Sequence, residues 1–98
     1  MIEFGGKQKF ATGVIQLRPT LKHHAVGGGA QIVAEVLNRH MSGDWGKGDR
    51  VTNNKSVEDG GPITSLYSTA MGPIKIVTSG GRGSTMVGFE SEFRDELE

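Results

Sequence analysis

The 98-residue chain predicts an α+β domain: one main helix packed on an antiparallel sheet of about four strands, an N-terminal strand joining a C-terminal three-stranded meander. Three observations carry this expectation. Apolar residues recur with helical spacing over residues 30–41. Three β-rich runs, 63–70, 74–79 and 84–90, follow one another with gaps short enough for hairpins. The 16 glycines gather mainly at 27–29, 43–48, 60–61 and 80–83, between the patterned segments, where they read as turns.

Each element has its own basis. Residues 10–18 are β-rich and stop at Pro19, whose ring biases the preceding residue to extended geometry, so a strand is expected there. Over 30–41, Ile32, Val33, Val36, Leu37, His40 and Met41 share one helical face, while Glu35, Asn38 and Arg39 fall on the other. Gly27-Gly28-Gly29 leads the chain into this helix, and Gly43 stands where a left-handed residue closes one. The stretch 47–61 is polar and reads as a surface loop with at most one helical turn over 54–58. Beyond it, Ile63, Ser65 and Tyr67 alternate with Thr64, Leu66 and Ser68, and Thr85, Val87 and Phe89 alternate with Ser84, Met86 and Gly88. That period of two suits a sheet with one face under the helix. The stripe Ile32, Val33, Val36 and Leu37 is expected to bury against Leu66, Ile76 and Val87. All 98 residues read as one domain, with residues 1–8 and 94–98 as flexible ends.

Composition narrows the function classes. Eleven Lys and Arg balance eleven Asp and Glu, so no net field draws the chain to nucleic acid or acidic partners, and any nucleic-acid contact has to be a local patch. The absence of cysteine excludes disulfides, thiolate zinc sites and cysteine nucleophiles. No apolar run approaches the roughly 20 residues of a membrane span, and residues 1–6 lack the basic-then-apolar order of a secretion signal. The expectation is a cytoplasmic protein with no membrane partner. His23-His24 together with His40 do not make a recognised ligand spacing, since adjacent histidines diverge and no carboxylate completes a set. The glycine-rich stretch before the helix has neither the dinucleotide nor the phosphate-loop pattern. No metal and no cofactor are expected.

The densest segment is Arg39-His40-Met41-Ser42-Gly43-Asp44-Trp45-Gly46, where a helix stop, a histidine, a carboxylate and the one tryptophan fall within eight residues. His40 reads either as a reactive imidazole or as a helix C-terminal and hydrogen-bonded core residue. Asp44 is a base or ligand, or the carboxylate that ties up its own turn. Trp45 stacks on a ligand or closes the core. Arg82, within Gly80-Gly81-Arg82-Gly83, presents its guanidinium to a phosphate or carboxylate, or is a solvated hairpin tip. In each case the structural role carries more weight.

These residues resemble a group of short, uncharacterised bacterial proteins found on plasmids, phages and other mobile elements. The segment from Arg39 to Gly46 is similar to that group's Arg-His-x-x-Gly-Asp-Trp-Gly. Asn53-Asn54, Asp59-Gly60 and the run from Ile63 to Tyr67 are similar to its Asn, Gly, Ser-x-Tyr pattern. Thr78, Arg82, Ser84 or Thr85, and Glu92-Phe93 match its last hairpin and acidic-aromatic end. Ser79 and Gly81 stand where the group has acidic residues, and Val87-Gly88-Phe89 replaces its Leu-Leu-Pro run. The resemblance implies a small accessory protein of a mobile genetic element that binds a protein or nucleic-acid partner through His40, Asp44, Ser65 and Arg82, with homo-oligomerisation open. The alternative is a compact, metal-independent ribonuclease-like enzyme of toxin type, with His40 as general acid/base and Arg82 as phosphate stabiliser. Convergence of His40 and Arg82 in one cleft would favour the enzyme.

Overall fold

The computed structural model describes residues 9–94. In chain order they form β1 (Val14–Leu17), α1 (Pro19–His24), α2 (Ala30–Ser42), α3 (Arg50–Asp59), β2 (Ile63–Thr69), β3 (Gly72–Thr78), β4 (Ser84–Phe89) and α4 (Glu90–Arg94). This is the expected α+β class, with the main helix and the antiparallel β2-β3-β4 meander where the patterns put them. The expected flexible ends lie outside the described residues, except for Arg94.

The sheet runs β1-β4-β3-β2. One feature departs from a wholly antiparallel sheet: β1 pairs with β4 in parallel, from Val14↔Ser84 to Leu17↔Val87. The direction follows from what comes next in each chain segment. β1 runs into α1 and β4 runs into α4, and both helices start at the same end of the sheet. There the Glu92 carboxylate accepts the Thr20, Leu21 and Phe89 N–H groups at 2.9, 3.2 and 3.0 Å. A side chain from α4 thereby satisfies donors that the first turn of α1 leaves open, and an antiparallel β1 would carry α1 to the other end.

α1 is an element that hydrophobic periodicity does not announce. Pro19 opens it with a pre-set φ, and a π-helical turn at Ala25–Gly29, broken at Gly28 (φ 124°), hands it over to α2. Val33, Val36, Leu37 and Met41 of α2 bury with Leu21, Tyr67, Ile74, Ile76 and Val87 in one cluster, and Ile32 packs half-buried at its margin. Leu66 is not part of this contact. Residues alternate between sheet faces, and the helix side of β2 is taken by Ile63, Ser65 and Tyr67, opposite Thr78, Ile76 and Ile74. Leu66 therefore points to the outer face, and Tyr67 fills the place expected for it. A second cluster joins Phe10, Trp45 and Ile63, with Val57 against it.

The polar stretch read as a loop is the ten-residue α3. Asp49 caps it, accepting the Val51 and Thr52 N–H groups at 3.0 and 3.2 Å and the Thr52 hydroxyl at 2.9 Å. It has no apolar stripe to betray it. Its buried residues are Asn53 and Ser56, and the Asn53 amide pairs with β2 as a neighbouring strand would, donating to Thr64 O (2.8 Å) and accepting from Thr64 N–H (3.1 Å). Among the described residues no helix is long and apolar enough to cross a membrane.

Leu37 is buried in the cluster that joins α2 to the sheet, so Leu37→Ala should destabilise the fold by about 2–5 kcal/mol, read from urea unfolding. A loss well below 1 kcal/mol would mean that the stripe bears little of the packing.

Candidate functional site

The last turn of α2 puts His40 in phase with the buried Val36, Leu37 and Met41, so the imidazole enters the core, where it is 0% exposed. Both ring nitrogens have partners: Ser65 Oγ lies against Nδ1, and Thr78 Oγ1 lies 2.9 Å from Nε2. Thr78 Oγ1 in turn meets Thr85 Oγ1 at 2.8 Å, and the Thr85 hydroxyl donates to Thr12 O at 2.8 Å.

The protons in this chain can be assigned from one fixed end. A carbonyl only accepts, so the single Thr85 proton goes to Thr12. Thr85 must then accept from Thr78, and Thr78, its proton used, must accept from Nε2–H. That leaves Nδ1 bare to accept the Ser65 hydroxyl. His40 is therefore the neutral Nε2–H tautomer, assigned from the network. Burial acts in the same direction, lowering its pKa from 6.5 to about 4.

The helix stop is built on the same residues. Gly43 adopts φ 94°, a left-handed conformation that costs glycine little. With it in place, the Gly43 and Asp44 N–H groups reach back to His40 O (3.3 Å) and Arg39 O (2.9 Å). The Trp45 indole N–H also donates to His40 O, at 3.1 Å, which turns the ring into the second core cluster. Gly46 (φ 59°) lies so close to β2 that a Cβ there would collide with the Leu66 carbonyl oxygen. This approach lets Lys47 N–H donate to Leu66 O (2.8 Å) and Leu66 N–H to Trp45 O (3.2 Å), covering the outer edge of β2. The Tyr67 hydroxyl donates to Asp44 O at 2.6 Å, and burial pushes its pKa up to about 12.

Asp44 itself is exposed and paired with Arg39 at 2.8 Å. The Arg39 guanidinium holds the carboxylate below its ordinary pKa and also lies over the Tyr67 ring, 4.7 Å from its centroid.

Arg82 occupies the β3-β4 connection with φ 64°. Its guanidinium donates to Gly61 O at 2.6 Å and Ser56 O at 2.7 Å, and lies 5.4 Å from the centre of the Phe10 ring. It thus closes the C-terminal end of α3 onto the hairpin. Phe10 also meets His40 edge-on, ring centres 5.3 Å apart. His40 and Arg82 are linked through this one ring, and His40 has no exposed surface to offer to an open cleft. The Ser65-to-His40 hydrogen bond has the polarity of a nucleophile and its base, but both residues are 0% exposed, which closes that pair to substrate in this conformation. Of the expected binding residues, His40 and Ser65 lie inside, Asp44 lies on the surface and Arg82 lies half-buried under the hairpin. Among the described residues no group of three or more His, Asp or Glu is placed to hold a metal ion.

The parts of this network that periodicity left unassigned are the Thr12 carbonyl and the hydroxyls of Thr78 and Thr85. Their sequence signature is phase. Thr78 continues Ile74 and Ile76, Thr85 shares its face with Val87, and Ser65 sits between Ile63 and Tyr67. A hydroxyl residue in step with buried apolar neighbours has to find a buried partner.

Two outcomes follow. With a pKa of 6.5 in the unfolded chain and about 4 when folded, His40 binds more protons unfolded throughout that interval. Its contribution to stability is complete above pH 6.5 and is lost as the pH falls toward 4, by about 3 kcal/mol. Urea unfolding at several pH values should show this slope, and His40→Gln should flatten it. An NMR titration of the His40 ring with a midpoint near 6.5 would contradict it. Arg82→Ala should destabilise by about 1–3 kcal/mol, because two backbone carbonyls lose a charged donor. Thermal or urea unfolding unchanged from wild type would show that the contact is dispensable.

No family model matches the chain, and neither a curated protein nor a solved structure matches it significantly.

Proposed function

We propose that this protein is a small accessory protein of a mobile genetic element that acts by binding a macromolecular partner, a protein in the first instance, on the outer face of its sheet. The observation that carries this reading is the commitment of the motif side chains to the fold. His40, Ser65, Thr78, Asn53, Tyr67 and Arg82 all hydrogen-bond within the chain. A network of this kind rigidifies a scaffold, and rigid scaffolds present surfaces.

α1 and α2 cover one face of the sheet; on the other the Phe93 ring of α4 lies against Gly88 and 5.4 Å from the Lys75 ammonium, and the rest carries a mixed apolar and polar pattern set by the register. Gln16, Met86, Val77 and Thr64 form one row across the four strands, and Gly88, Lys75 and Leu66 form the next. Methionine and aliphatic side chains ringed by short polar ones suit a protein surface. With one lysine in these rows and a balanced overall charge, the electrostatic attraction that nucleic-acid binding relies on is weak. The mobile-element assignment rests on the similarity of the segment Arg39 to Gly46 and its companions. The ribonuclease-like alternative requires His40 to become accessible in a cleft that it shares with Arg82.

The test uses immobilised wild type and Val77→Glu in host-cell lysate, with and without nuclease treatment, alongside incubation of both with labelled RNA. Expected is nuclease-resistant retention of a defined protein, weakened at least about tenfold by Val77→Glu, whose new charge faces outward in a folded protein. Retention abolished by nuclease would replace the protein partner with nucleic acid. RNA cleavage that disappears in both His40→Ala and Arg82→Ala, with folding checked by circular dichroism, would replace the binding reading with the enzymatic one.

A further inference from the structure

The two edges of the sheet are treated differently. The outer edge of β2 is covered by backbone hydrogen bonds from Trp45 and Lys47 and by the Asn53 amide. Among the described residues nothing pairs with the outer edge of β1. Apart from its length of four residues, that edge lacks the usual protections: β1 carries no proline or lysine within it, and its Val14 and Ile15 are 63% and 41% exposed.

The register states what would fit. Val14 N–H donates to Gly83 O and Arg18 N–H to Val87 O, so the even-numbered residues turn their backbone groups toward β4. The N–H and C=O groups of Ile15 and Leu17 therefore point outward. On the helix side, Ile15 and Leu17 border a groove whose other walls are Ala25, Ala30, Val33 and Leu37, nearly all of it apolar. The occupant must be an extended backbone that also brings aliphatic side chains in alternation.

We infer that this occupant is a second copy of the chain, its β1 antiparallel to the first about a two-fold axis through Gln16. In that register Ile15 of each copy faces Leu17 of the other as a hydrogen-bonded pair, and all four outward backbone groups of each strand are satisfied. The Ile15 and Leu17 side chains of both copies then line one continuous apolar row over the two grooves. Gln16 meets Gln16 across the axis on the outer face, where their amides can pair. A two-fold axis normal to the sheet makes the pairing antiparallel and sets Arg18 opposite Val14, apart from the Arg18 of the other copy. The balanced net charge adds no long-range repulsion between copies. The result is an eight-stranded sheet with α1 and α2 of both copies side by side on one face, independent of what the outer face binds.

Sedimentation equilibrium of the whole chain over a concentration series tests this, together with Ile15→Lys and Gln16→Cys. Wild type should reach twice the chain mass. Ile15→Lys, with folding checked by circular dichroism, should raise the dimer dissociation constant at least about tenfold, a change of ~1.4 kcal/mol. The chain has no cysteine of its own, so Gln16→Cys reports the axis directly. It should form a covalent dimer on mild oxidation, because directly opposed residues of this closer pair type lie within disulfide reach, whereas Val14→Cys should not. A wild type that stays monomeric at its solubility limit overturns the proposal, as does a dimer that tolerates Ile15→Lys and does not cross-link through Gln16→Cys. Capture of an added foreign strand by a monomeric wild type would likewise overturn it, assigning the edge to a different partner.

Discussion

The neutral imidazole of His40 is the constraint around which the other elements are arranged. Its two nitrogens and the hydroxyls beyond them tie α2 to β2, β3, β4 and the segment before β1 in a single chain of donors that ends on the Thr12 carbonyl. A buried hydrogen bond adds only about 0.5–1.5 kcal/mol net, but leaving a buried partner unsatisfied costs about 1–3 kcal/mol. The network therefore acts less as glue than as a selector. Slipping any one strand by one residue would turn Ser65, Thr78 or Thr85 to the outer face and strand the imidazole among aliphatic side chains. Purely apolar packing of Ile63, Ile76 and Val87 would tolerate such errors better.

The segment after α2 extends this selection to the sheet edge. Gly43 reverses the chain, Trp45 closes on the carbonyl of His40, and Gly46 allows the backbone to lie along β2. Tyr67 completes the circuit by donating to Asp44 from the strand itself. Motif residues that invite a catalytic reading are thus bound together mechanically, as helix cap, core plug and edge cover. The polar groups left on the surface, chiefly the Arg39-Asp44 pair, are solvated and contribute little to stability.

Two further polar contacts hold elements with little apolar surface of their own. α3 is fastened by Asn53 to β2 and by Arg82 to the β3-β4 connection. The short α1 receives its N-terminal acceptor from Glu92, about seventy residues away in the chain. Side chains thereby substitute for the strand partner and the local cap that the neighbouring sequence does not provide, and the core can stay small. The arrangement leaves the part of the outer sheet face that Phe93 does not cover, and the β1 edge, as the surfaces on which association can be built.

How much of this was legible follows from the range of each interaction. Local patterns determined α2, its stop at Gly43 and the three meander strands, because period, turn residues and capping act over a few residues. The same patterns brought Arg39, His40, Asp44 and Trp45 forward as a group. They did not disclose α3, whose helix is held by Asn53 and Ser56 rather than by an apolar stripe, or α1, whose cap is remote. They also could not set the direction of β1, since parallel and antiparallel edges read alike along the chain and only the shared helical end at Glu92 distinguishes them. Nor could they decide whether His40 faces solvent or core, because a histidine in phase with an apolar stripe is compatible with both. The tertiary structure decided it by bringing Ser65, Thr78, Thr85 and Thr12 to the ring from four separate segments, which gives a neutral imidazole every hydrogen bond it needs in a site that water does not reach.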